Sequence, residues 1–143
     1  MLKFAERLEE LLGEREMNQK TFAAEVGISE GSISLYMRDK CMPTVWHLIK
    51  LADYFHRSAD FLLGREEENY NLTFRVCPPF RERIAVLKGD FGGTVSEFLQ
   101  RAKVAKSCYF NWASGKFNPT LENIISLANN LDRRVDYILG RET

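Results

Sequence analysis

A chain of 143 residues with 45% hydrophobic and 28% charged side chains has the composition of a globular protein, not of a disordered or fibrous one. Twenty basic and twenty acidic residues cancel, which argues against a protein that coats nucleic acid without regard to sequence, although charge on one face can still serve a reader of DNA. No apolar run approaches the roughly 18 residues of a membrane span, and no short apolar stretch follows a basic start, so no membrane contact or secretory leader is expected and the cytoplasm is the expected compartment.

The N-terminal segment, 1–14, carries Phe4, Leu8, Leu11 and Leu12 on one helical stripe, with Gly13 near its end. Asn18 suits the N-cap of a second helix, Gln19 to Val26, with Phe22, Ala23 and Val26 inward. Gly27 suits a turn residue with positive φ, and Ser29 then caps a third helix whose Ile33 and Tyr36 face the core. Two short amphipathic helices joined by a tight glycine turn are the pattern of a helix-turn-helix, whose second helix is shaped for a DNA major groove. Pro43 breaks the chain, and Thr44 caps a fourth helix with Leu48, Leu51, Ala52 and Phe55 on its inner stripe. A short fifth helix, Ser58 to Leu63, ends at Gly64.

A shift of 76 residues lays the second half on the first without a gap. Phe80 falls on Phe4, Glu82-Arg83 on Glu6-Arg7, Leu87 on Leu11, Gly89 on Gly13 and Phe98 on Phe22. Lys116 falls on Lys40, Pro119-Thr120 on Pro43-Thr44, Leu127-Ala128 on Leu51-Ala52, and Leu139 to Glu142 on Leu63 to Glu66. Self-similarity at a fixed period predicts duplicated structural units. The expected fold is therefore all-α: two tandem five-helix units, 1–66 and 80–143, joined by an extended linker over 67–79 whose alternating Leu72 to Val76 suits a strand or a tie. Fully extended, those 13 residues reach about 45 Å, against the roughly 34 Å between half-sites one helical turn apart, so one chain could span both.

Catalytic and metal chemistry find no support. Nucleophile, base and acid do not recur together, no Gly-rich phosphate loop is present, and Gly92-Gly93 reads as a turn between helices. His47 and His56 lack partners at ligand spacing and read as surface histidines. Cys41, Cys77 and Cys108 are odd in number and widely spaced, so isolated thiols are expected rather than a zinc site or disulfides. The chain is read as no enzyme, with no cofactor and no metal. Tyr36 and Trp112 share a repeat position and read as core aromatics, and Glu6, Glu9, Glu10, Glu14 and Glu16 as a solvated helix face.

The run Gln19, Ala23, Val26-Gly27-Ile28-Ser29, Ile33-Ser34, Tyr36, Lys40, Pro43 and Leu63-Gly64 resembles the phage-repressor, Cro-like (XRE-type) helix-turn-helix family over nearly all of the first unit. The second unit resembles that family most over Asn111 to Thr120. The resemblance implies binding of double-stranded operator DNA by a bacterial or phage transcriptional regulator, expected to repress. It places Gln19 on a phosphate, Glu30, Gly31 and Ser32 at base edges, Ser34 one turn further, and Arg38 and Lys40 at the next phosphates, with Lys20 and Ser29 completing the set. In the second unit Lys106, Ser107, Phe110 and Asn111 would form the exposed face of the third helix and Lys116 a phosphate contact. A homodimer, or an intramolecular pseudo-dimer of the two units, would supply two-fold contacts.

Departures from the family keep a second reading in view. Glu30 and Leu35 stand where basic residues are common, and Asp39 replaces the usual glycine. Residues 1–66 hold 9 basic and 11 acidic side chains, a poor phosphate footprint, whereas residues 80–143 hold 10 basic and 7 acidic ones. Yet Val95 replaces the entry glutamine there, and Lys103 the turn glycine. The alternative is a protein-interaction or assembly module that keeps the fold with reduced or no DNA binding.

Overall fold

The computed structural model describes residues 3–67 and 73–142, and it divides the chain into two compact units, Met1–Phe74 and Arg75–Thr143. All regular structure among the described residues is helical. The first unit holds α1 (Phe4–Arg15), α2 (Gln19–Val26), α3 (Glu30–Met37), α4 (Val45–Phe55) and α5 (Ala59–Leu62). The second holds α6 (Phe80–Phe91), α7 (Val95–Ala102), α8 (Lys106–Ser114), α9 (Leu121–Leu131) and α10 (Val135–Leu139).

Local chemistry sets the helix bounds in the first unit. The Asn18 carboxamide oxygen accepts the Thr21 N–H at 2.8 Å, and the Ser29, Thr44 and Ser58 hydroxyls accept the N–H groups of Ser32, His47 and Phe61. Each satisfies an amide that the first turn of a helix leaves orphaned. Gly13 lies inside α1, which continues until Glu16 takes the left-handed conformation at φ 55°. The Glu16 and Met17 amides fold back onto the Gly13 and Leu12 carbonyls, a Schellman-like closure that does not require glycine here.

The inner stripes meet in one core. Phe22 is wholly buried, with its ring centroid 5.4 Å from Phe55 and 5.3 Å from Tyr54, and Leu8, Ile33, Leu48, Leu51 and Leu62 are buried around it. Each such side chain contributes about 1.5–3 kcal/mol on burial, which holds the short helices α2, α3 and α5 that could not persist alone. Tyr36 is buried and meets the Phe4 ring edge to face at 5.9 Å.

In the second unit Ile84, Leu87, Phe98, Tyr109, Trp112, Ile124, Leu127 and Ile138 form the core. Capping boxes start α7 (Thr94 with Glu97) and α9 (Thr120 with Asn123). An ion pair closes this unit: Arg141 and Asp136 are both fully buried and bonded to one another, and the Arg141 N–H donates to the Asp136 carbonyl at 2.8 Å. In the first unit Arg65 Nε meets Asp60 Oδ1 at 2.8 Å, with the arginine a quarter exposed.

The expected linker, 67–79, falls partly outside the described residues, which lack 68–72. Residues 73–79 are neither helix nor strand, and the Arg75 N–H donates to the Arg141 carbonyl at 2.8 Å. One histidine differs from expectation. His47 is half-buried with Nδ1 2.6 Å from the Tyr36 hydroxyl, because the first turn of α4 packs against the end of α3.

Candidate nucleic-acid interface

The helix α3 owes its position to the turn before it. Gly27 adopts φ 76°, its N–H closes on the Ala23 carbonyl at 3.0 Å, and its own carbonyl accepts a bond from Lys50 Nζ on α4 at 3.0 Å. Ile28 is buried beneath the turn, and Ile33 and Tyr36 anchor α3 on the core. With about 100° of rotation per residue, the face opposite those anchors carries Gly31, Ser34, Leu35 and Arg38.

The expected site residues fall on the surface of these elements in different states. Lys20, Glu30, Gly31, Arg38 and Lys40 are exposed, and Gln19, the first residue of α2, is half-buried. Ser29 and Ser32 are engaged with one another: the Ser29 hydroxyl caps the Ser32 amide and lies 2.9 Å from the Ser32 hydroxyl. They hold the N-terminus of α3, the Ser29 hydroxyl accepting from the Ser32 amide and donating to the Ser32 hydroxyl. Ser34 is half-buried, and its carbonyl accepts from Arg38 Nε at 3.4 Å, which ties that guanidinium to the C-terminal end of α3. Asp39 takes the left-handed conformation at φ 56°, as expected of the residue in the glycine position, and Lys3 Nζ lies 3.8 Å from its carboxylate.

The chain pattern gave no notice of Trp46 and Lys50. Trp46 is 64% exposed on the first turn of α4, with Lys50 Nζ 5.3 Å from its ring while that same ammonium bonds the Gly27 carbonyl. The available signal was the spacing: Trp46 lies off the Leu48, Leu51, Phe55 stripe, so a large aromatic there must face solvent. Leu35 and Met42 are exposed as well, at 40% and 50%. Burial, and secondarily the Lys50 charge, lower the His47 pKa from the ordinary histidine value, and burial raises that of Tyr36.

In the second unit Lys103 follows α7 and takes the left-handed conformation at φ 57°. The Ala102 carbonyl is held by Asn130 Nδ2 at 2.7 Å, and Arg101 Nε donates to the Asn130 carbonyl at 3.2 Å. Tyr109 and Trp112 are buried, which leaves Ser107, Phe110, Asn111 and Ser114 on the opposite face of α8. Lys106, Ser107, Phe110 and Lys116 are exposed, and Asn111 is half-buried. Lys116 Nζ lies 5.5 Å from the ring of Phe117, itself 58% exposed. Among the described residues no cluster of three His, Cys, Asp or Glu could hold a metal, and no helix is long and apolar enough to cross a membrane.

A capped α2, a tight turn and an α3 with its outward face in solvent are the parts of a DNA-docking pair of helices. Residues 8–62 match a family model described as helix-turn-helix. The match runs from within α1 to the end of α5, so it takes in the whole helical framework of the first unit and not the two-helix element alone. Helix-turn-helix proteins of this kind are DNA-binding regulators of transcription, generally without catalytic activity. No curated protein and no solved structure matches the chain.

Proposed function

We propose that this chain binds double-stranded DNA sequence-specifically and regulates transcription, as a repressor of bacterial or phage origin that occupies its operator. The observation that carries the reading is the helix-turn-helix match over residues 8–62, together with an α3 whose outward face is in solvent. On this reading Gln19 and Lys20 at the start of α2 hold one phosphate stretch. Arg38 and Lys40 hold the next, and Glu30, with the open backbone at Gly31, faces base edges. A carboxylate at the reading position accepts from cytosine N4.

The second unit we read as a divergent copy of the same module, residues 80–143 after the linker 67–79, with Lys106, Ser107, Phe110, Asn111 and Lys116 toward the duplex. Support comes from the anchors shared at a shift of 76 residues and from the matching order of helices: α1 and α6 have 12 residues, α2 and α7 have 8, and α4 and α9 have 11. Its basic side chains compensate for the thin positive surface of the first unit.

The competing reading, an assembly module, draws on exposed Leu35, Met42 and Trp46 and on acidic Glu30. A mobility-shift titration of the folded full chain against random duplexes, from low salt upward, separates the two. Binding whose affinity falls log-linearly with salt supports the DNA reading. Absence of any shifted species at low salt overturns it.

A further inference from the structure

The outward face of α8 differs in kind from that of α3. Around it, no Asp or Glu occurs between Glu97 and Glu122, while Arg101, Lys103, Lys106 and Lys116 fall within that stretch. At its centre stand two neighbouring side chains on either side of the outward direction. Phe110 is 48% exposed, and its ring touches only its neighbour Tyr109, edge to face at 5.2 Å, among the ring contacts of the described residues. The Asn111 carboxamide makes no hydrogen bond among the described residues, although its backbone carbonyl accepts from Phe117 and Ser114. A half-exposed phenyl group and a carboxamide with no protein partner among the described residues therefore stand side by side on this face.

Each matches one feature of a single base-pair type. Adenine presents N7 as an acceptor and N6 as a donor in the major groove, the complement of a carboxamide, and thymine presents a C5-methyl group suited to an apolar contact. Guanine offers two acceptors there, so an amide can satisfy only one of them, and cytosine has no methyl group. The corresponding positions of α3 are Ser34 and Leu35, which carry no amide.

We propose that α8 reads A·T base pairs in the major groove, with the Phe110 ring on a thymine methyl group and the Asn111 carboxamide on N6 and N7 of adenine. The proposal rests on the reading of the second unit as a DNA-binding module. Lys106, one turn before Phe110 at the start of α8, then takes a flanking phosphate.

The first arm of the test is carried on the DNA, and two variants then assign the contacts, each serving as the other's folding control. The full chain selects its site from random duplexes, and each dT is then replaced by dU, which lacks the methyl group, and each dA by 7-deaza-dA, which lacks the N7 acceptor. One dT should be sensitive, with a several-fold loss of affinity in dU, and a nearby dA should lose several-fold in its 7-deaza form, which removes one of the two bonds of a bidentate pair. Phe110→Ala should abolish the first sensitivity and Asn111→Ala the second, each leaving the other intact. A selected site that is indifferent to both replacements, or sensitivities that survive in both variants, overturns the proposal and leaves DNA binding standing. A chain that selects no duplex at all overturns the DNA reading itself.

Discussion

The turn between α2 and α3 gives a prediction with a matched control in the same chain. Gly27→Ala forces an L-residue to hold φ 76°, which costs about 1–2 kcal/mol. Steric cost adds little, because the new Cβ would meet only Lys50 Nζ at 3.4 Å, the far end of a flexible side chain. That ammonium must move slightly while it keeps its bond to the Gly27 carbonyl, now 3.0 Å, so the loss of a solvent-exposed hydrogen bond is partial at most. Less the roughly 0.5–1 kcal/mol of extra chain entropy that glycine loses on folding, the net cost is up to about 1.5 kcal/mol. At the turn between α7 and α8 Lys103 already stands at φ 57°, so Lys103→Gly should act in the opposite direction. Relief of the left-handed strain, less the roughly 0.5–1 kcal/mol of extra chain entropy that glycine loses, leaves a gain of up to about 1.5 kcal/mol. Urea unfolding followed by circular dichroism, with unchanged m-values, measures both. A stabilising Gly27→Ala, or a destabilising Lys103→Gly, would refute the account of how these turns are held.

Other consequences follow from particular contacts. Arg141→Met takes the fully buried guanidinium from the Asp136 carboxylate, with Arg134 3.6 Å away and partly exposed, so unfolding free energy should drop by about 3 kcal/mol; Arg65→Met, which takes a guanidinium already 26% exposed from the buried Asp60 carboxylate, should cost less in the same urea titration. Gln19→Ala should weaken binding to all duplexes alike, whereas Glu30→Ala should change which bases are selected; the reverse pattern in a parallel selection would place the reading helix in the wrong register. His47 has a pKa held below the ordinary value, mainly by burial, so the unfolded chain binds its proton first as pH falls. Its contribution to stability is whole above about pH 6.5 and declines below it, so the melting temperature should drop more between about pH 7.5 and 5.5 in the wild type than in His47→Gln.

Much of this framework was legible in the chain because it is written in local chemistry. Asn18, Ser29 and Thr44 each announce a cap, and α2 runs from Gln19 to Val26 as the spacing of Phe22, Ala23 and Val26 indicates. What escaped notice depends on partners distant in sequence or on charge placed where pattern reading does not look. Arg141 and Asp136 are charged residues in a short polar-looking segment, and only the fold shows them fully buried against one another. Gly13 stands near the end of α1 as the pattern indicates, and the helix closes at Arg15 with Glu16 in the left-handed conformation. Ser32 looks like a free hydroxyl at the head of a reading helix, but it lies 2.9 Å from the capping Ser29 hydroxyl. Lys50 belongs to the turn only because α4 crosses behind it.

The account turns on whether α2 and α3 of the first unit meet the duplex, and an amide-resolved NMR titration of the labelled full chain with a selected duplex tests that directly. Shifts should concentrate on 19–20, 29–32, 34–35, 38 and 40, with the acidic surface of α1 at Glu6, Glu9 and Glu10 unmoved. Shifts confined to α1 or to the neighbourhood of Trp46, with α3 silent, would contradict it.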